Sequence, residues 1–152
     1  MSLTQYVYFA IASVGTTADE ITQLLGMEPD EVTVRGSLTT SPHIIPFCHC
    51  WKIFCCEPGL GVDEQIDLVI GRLRPHMEAL TNLTTRLATE EGPGGAILQV
   101  TRYFNPHDEQ PSGSPDDTNL YGWRLNHSVV DFLAVTGAEL DVDEYDMTPG
   151  DD

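Results

Sequence analysis

Ile66, Val69, Ile70, Leu73, Met77 and Leu80 recur at the i, i+3, i+4, i+7 spacing of a helix with one buried face. Asp67, Arg72, Arg74 and Glu78 fall mostly on the opposite side. Pro75 interrupts this pattern, because its ring clashes with the carbonyl four residues back, that of Gly71. The sequence therefore predicts a break near Arg74, either a kink or two helices with Pro75 at the first position of the second. The run Gly92-Pro93-Gly94-Gly95 stops any helix, and residues 96–104, rich in β-branched and aromatic side chains, predict a strand.

Residues 6–13 predict a strand with Val7, Phe9 and Ile11 on one face and Tyr8, Ala10 and Ala12 on the other. Both faces are apolar enough for a central strand. Thr17 and Glu20 have capping-box spacing, and the helix they open, carrying Ile21, Leu24 and Leu25, is expected to end at Gly26. Short strands follow at 31–35 and 47–56, separated by a loop over 36–46. Residues 105–119 are polar and proline-rich and predict a mobile loop, having almost nothing to bury. A strand is expected at 120–125. A helix capped by Asn126 and ended by Gly137 comes next, then a strand over 139–145. Residues 147–152 predict a disordered tail.

This order is β-α-β-β-α-β followed by β-α-β. It predicts a single α+β domain over residues 1–146. The expected architecture is a ferredoxin-like core extended by the last unit, with a mainly antiparallel sheet and helices on one face. The helix-turn-strand grammar of residues 24–34 recurs at 133–142, too weakly to define a repeat. A chain of 152 residues buries roughly 68–70% of its unfolded surface, so neither disulfides nor metal are required for stability.

Charge narrows the class of partner. There are 24 acidic and 7 basic residues, a net charge of −17, and Lys52 is the only lysine. Such a surface repels nucleic-acid phosphates, and its acidity serves solubility first and attraction to a basic protein second. No run approaches the ~20 apolar residues of a membrane span. The opening Met-Ser-Leu-Thr-Gln lacks the basic region of a secretory signal, so a cytosolic location with reduced thiols is expected.

Several patterns resemble chemistry. Cys48-His49-Cys50 with Cys55-Cys56 suggests metal ligation, but alternation along a strand sends His49 away from Cys48 and Cys50 and separates Cys55 from Cys56. These cysteines are expected to act as small hydrophobes, and no cysteine nucleophile signature surrounds them. Asp141, Asp143 and Asp146 lack the glycine and distal glutamate of a calcium loop. Phosphate-binding glycine loops and nucleophile elbows are absent from the sequence. No catalytic residue, metal or cofactor is expected. Arg35, Trp51, Arg102 and Trp123 each lie in or beside a predicted strand. If they converge on the helix-free face, they offer anion, aromatic or partner binding; otherwise the tryptophans are core and the arginines pair with acids.

The chain also resembles a bacterial family catalogued as domain of unknown function 4279. The features that carry the resemblance are the opening strand at 6–13, the 17–26 helix with Pro29-Asp30, Arg35-Gly36, and Trp51 in the third strand. The helix interrupted at Pro75, Leu125-Asn126 with its helix, and Asp143-Glu144-Tyr145 complete it. The resemblance implies a single α+β domain and no particular chemistry. Two functions are therefore expected to compete. One is a small acidic binding protein of immunity or regulatory type, without catalysis. The other is a small-molecule enzyme or ligand sensor using the open sheet face.

Overall fold

The computed structural model describes residues 2–37, 45–105 and 122–149. Strands β1 (Ser2–Ser13), β2 (Glu31–Thr33), β3 (His49–Cys55), β4 (Gly95–Asn105) and β5 (Glu139–Asp146) form one sheet in the order β2-β3-β1-β4-β5. The three pairings among β1 to β4 are antiparallel, and β5 lies parallel to β4. Helices α1 (Ala18–Leu25), α2 (Val62–Leu73), α3 (Met77–Leu87) and α4 (His127–Thr136) complete the described elements. The protein is thus mixed α+β, with a mostly antiparallel five-stranded sheet.

Capping chemistry sets the helix limits. Thr17 accepts a hydrogen bond from the Glu20 amide at the start of α1, and Asn126 accepts one from the Val129 amide at the start of α4. Gly26 and Gly137 end these helices at φ 70° and 69°, a conformation that costs other residues a steric penalty. Between α2 and α3 the chain tightens into a 3₁₀ turn, Arg74–His76, which places the expected break at Arg74; Pro75 lies within this turn, and the second helix starts two residues later, at Met77. Gly94 lies so close to β1 that a side chain there would meet the Ala12 carbonyl oxygen at 2.7 Å.

Pairing register divides the sheet into two rows. Val7, Phe9 and Ile11 of β1 align with Cys55, Ile53 and Trp51 of β3 and with Val100, Leu98 and Ala96 of β4. Within this row, the three β1 residues, Trp51, Ile53, Leu98 and Val100 are fully buried. The helices cover it, with α2 over β1 and β3, α1 over β3, and α3 over β4. Their buried residues include Ile21 and Leu25 from α1, Ile66, Val69, Ile70 and Leu73 from α2, and Leu80 and Leu83 from α3. Phe132 of α4 meets Phe9 edge-on, with ring centroids 6.2 Å apart, and ties the last helix to the same core.

The strand expected at 120–125 is not formed where the chain is described: Gly122 to Leu125 make no ladder. The Arg124 amide donates instead to the Asp63 carboxylate at 3.3 Å, and Trp123 and Leu125 pack against the core as partly buried side chains. Alternation of apolar residues there reflects one-sided packing without a pairing partner. Most of the loop expected at 105–119 lies outside the described residues, as do residues 150–152 of the expected tail. Before that point the Met147 amide donates to the Phe104 carbonyl and prolongs the edge of the sheet.

A polar clip joins the two loops at one end of the sheet. The hydroxyls of Ser13 and Thr16, both buried, donate to opposite oxygens of Glu90, each at 2.5 Å. These hydrogen bonds, the one from Ser13 first, hold the Glu90 carboxyl below its ordinary range. A depressed folded-state value means that the clip stabilises the protein fully above the unfolded carboxyl range, about pH 4.3. That contribution is lost as pH falls through the lower folded value. Glu90→Gln should cost about 1 kcal/mol at pH 7, the partial exposure of the carboxylate keeping it small. The difference from wild type should shrink towards pH 3. Urea midpoints at both values test this, and a difference that is constant with pH would show that the charge contributes nothing.

Candidate functional site

The second row of the sheet faces away from the helices and carries a band of tyrosines. Tyr6 and Tyr8 alternate along β1, Tyr6 aligns with Thr101, and Tyr103 aligns with Tyr145 of β5. Tyr103 and Tyr145 stack with centroids 5.0 Å apart, Tyr6 lies 6.3 Å from Tyr103, and Tyr8 lies 6.2 Å from Tyr6. At the far end the Lys52 ammonium sits 4.3 Å from the centre of the Tyr8 ring. The result is a continuous aromatic band across β5, β4 and β1 that ends on the chain's single lysine. Ala10, Gln99 and Thr101, in the middle of this face, are buried between longer neighbours.

Carboxylates flank the band. Strand parity places Glu139, Asp141 and Asp143 on the same face as Tyr145, and Glu31 opposite Lys52. Asp143 accepts a hydrogen bond from Gln99 Nε2 at 3.1 Å, which fixes one carboxylate beside the aromatic band. The Tyr8 hydroxyl is pushed above its ordinary range, first by burial and then by the neighbouring Tyr6, with Asp143 and Asp141 acting in the same direction. Tyr103 is raised first by its side-chain hydrogen bond with Tyr6. Phenols and acidic side chains thus bring hydrogen-bonding groups and aromatic surface together on this face.

The four residues singled out from sequence do not meet on this face. Trp51 belongs to the helix-covered row, is fully buried, and donates through Nε1 to the Thr22 hydroxyl at 3.1 Å. Arg102 lies in the same row near the start of β1, 3% exposed, donating to Gln5 at 3.3 Å and to Glu144 at 3.0 Å. Arg35 lies beyond the other end of β1, where it donates to the Val14 carbonyl at 3.2 Å and approaches the Phe47 ring. Nine positions of extended chain separate Gln5 from Val14, roughly 30 Å. Trp123 is partly buried and outside any strand. Parity along β4 was the available signal for Arg102, since Leu98, Val100 and Arg102 alternate on one side. The tyrosine band needed the register of three strands at once.

Other features carry less chemistry. The four cysteines are unbridged, and His49 Nδ1 accepts a hydrogen bond from the Arg35 amide. Among the described residues, no group of three or more histidines, cysteines and carboxylates is placed to hold a metal ion. A cavity of about 160 Å³ lies between the start of β1 and the loop before α2, lined by Gln5, Leu60 and Gln65 among others. Gln65 donates to the carbonyls of Gln5 and Glu57, while its Oε1 is closed off from solvent and unpartnered among the described residues. A second cavity, about 250 Å³, lies between α1 and α3. Thr4, which also lines the first cavity, aligns with Tyr103 of the tyrosine band, whereas the second cavity is lined by helix residues alone. No described helix is long and apolar enough to cross a membrane.

Residues 3–147 match the family described as domain of unknown function DUF4279. The match spans nearly the whole chain, and the protein belongs to that family. No curated protein and no solved structure matches it.

Proposed function

We propose that this chain is a non-catalytic binding module, of immunity or regulatory type, whose helix-free sheet face receives a basic protein partner. The observation that carries the reading is the tyrosine band flanked by Glu139, Asp141 and Asp143. Tyrosine gives large, rigid contact area at low entropic cost, and it is enriched at binding hot spots. A net charge of −17 attracts a cationic partner before contact. The alternative, a small-molecule enzyme or sensor on the same face, would use the cavity beside Thr4 at the end of the tyrosine band, which at about 160 Å³ is smaller than the pockets that usually enclose a small-molecule ligand. The order β2-β3-β1-β4, with α1 crossing over β3 and the α2–α3 pair crossing over β1, supports reading the core as ferredoxin-like, with β5 added. A cytosolic location belongs to the same proposal.

The test uses Tyr103→Ala and Tyr6→Ala beside the wild-type protein. Each is immobilised, and the partner recovered from a host lysate is purified and its kinetics measured. Both rings are partly exposed, so the variants should keep their folded thermal transition. The partner should be basic, associate more slowly as salt rises past the ~8 Å screening length of physiological buffer, and leave the variants about tenfold faster. An acidic partner, or off-rates equal to wild type in folded variants, would overturn the proposal.

A further inference from the structure

The outer strand of the sheet offers more than side chains. β5 is eight residues long, pairs on one side only among the described residues, and contains no proline, glycine or lysine. Natural edge strands are usually blunted by proline, by charged side chains, above all lysine, by bulges or by shortness, because an open row of N–H and C=O groups invites a further strand; the charges of β5 are all carboxylates, which repel a like strand but not a cationic one. The opposite edge follows that rule, since β2 has only three residues. In β5 all residues but Asp143 are exposed.

The side chains of β5 fall into two rows of different character. Leu140 and Val142, each 37% exposed, continue the apolar row beneath the helices. Glu139, Asp141, Asp143 and Tyr145 continue the tyrosine face. A second copy of β5 laid along this edge would set carboxylates beside carboxylates, which destabilises a cross-strand pair. A strand with alternating apolar and cationic residues meets neither obstacle. Its apolar side chains would cover Leu140 and Val142, and its cations would lie beside Asp141 and Asp143.

We infer that the open edge of β5 is a strand-addition site for an extended segment of a basic protein in which apolar and lysine or arginine residues alternate. The inference rests on the binding role assigned above to the tyrosine face. It adds main-chain pairing as the source of register, with the carboxylates excluding self-association and selecting the cationic strand.

The probe is a ten-residue peptide of alternating valine and lysine. Its controls are a peptide of the same composition with its valines and lysines in separate blocks, and an alternating peptide N-methylated at every second residue. All three carry the same charge, and the methylated one loses donors along one edge. Calorimetric titration against the full chain should give the alternating peptide at least about tenfold tighter binding than either control. Amide exchange should slow within 139–146. Equal affinity for all three peptides would overturn strand addition. If Tyr103→Ala then weakens all three alike, the face reading survives alone. If the peptides separate on wild type but Tyr103→Ala changes nothing, the edge stands and the face reading fails. Sedimentation showing a dimer that the alternating peptide cannot disrupt would assign the edge to a second copy and overturn the inference.

Discussion

Trp51→Ala should cost about 3–5 kcal/mol of stability, a large part of the 5–15 kcal/mol typical of a domain. The ring is fully buried in the helix-covered row, aligned with Ile11 on β1 and Val32 on β2. Removing it deletes the largest of the fully buried side chains and leaves the Thr22 hydroxyl without its indole donor. Both the lost transfer energy and the residual cavity count against the variant. Trp51→Phe keeps most of the ring and loses the hydrogen bond, so its cost should be nearer 1–2 kcal/mol. Urea denaturation followed by far-UV circular dichroism measures both, without relying on the fluorescence that the substitution removes. A loss below about 1 kcal/mol for the alanine variant would contradict this account of the core.

Trp51 also marks where sequence alone stops being decisive. Alternation along β3 separates His49, Trp51 and Ile53 from Cys50, Lys52 and Phe54, but both rows contain apolar residues. Only the alignment with Ile11 and Ala96 identifies which row the helices cover. The helices were legible because their signals are local: Thr17, Gly26, Pro75, Asn126 and Gly137 each act within a turn of their own position. The sheet order was partly legible, since alternating strands and helices restrict topology, yet β5 beside β4 depends on non-local pairing. The segment at 122–125 misled because one-sided packing on a helix layer gives the same alternation as a half-buried strand. Arginine and tryptophan drew attention as functional types. Burial turned Trp51 inward, and pairing with Gln5 and Glu144 held Arg102 in the covered row. Four tyrosines scattered from position 6 to position 145 become one band only after three strands are placed in register.

Phe132 anchors the last quarter of the chain in the same way. Of the residues in α4, only Val129, Phe132 and Thr136 are buried, and the helix packs chiefly on α3. Phe132 is fully buried, meets Phe9 edge-on, and lies 5.8 Å beneath the Arg74 guanidinium. Arg74 also donates to the Ser128 hydroxyl at 2.6 Å, but both groups are exposed, and such a surface contact adds little. Phe132→Ala should therefore cost about 3–5 kcal/mol. The loss should fall unevenly, because β5 follows α4 directly and, among the described strands, pairs only with β4. Once the anchor is gone, α4 and β5 should open as a unit below the global unfolding free energy, while the pairings of β1 with β3 and β4 persist. Native-state hydrogen exchange would then show residues 127–146 losing protection first in the variant. Uniform loss of protection across the sheet would show instead that the ring supports the whole core. Preserved protection in 127–146, with stability lowered by less than about 1 kcal/mol, would place the hold on α4 outside Phe132.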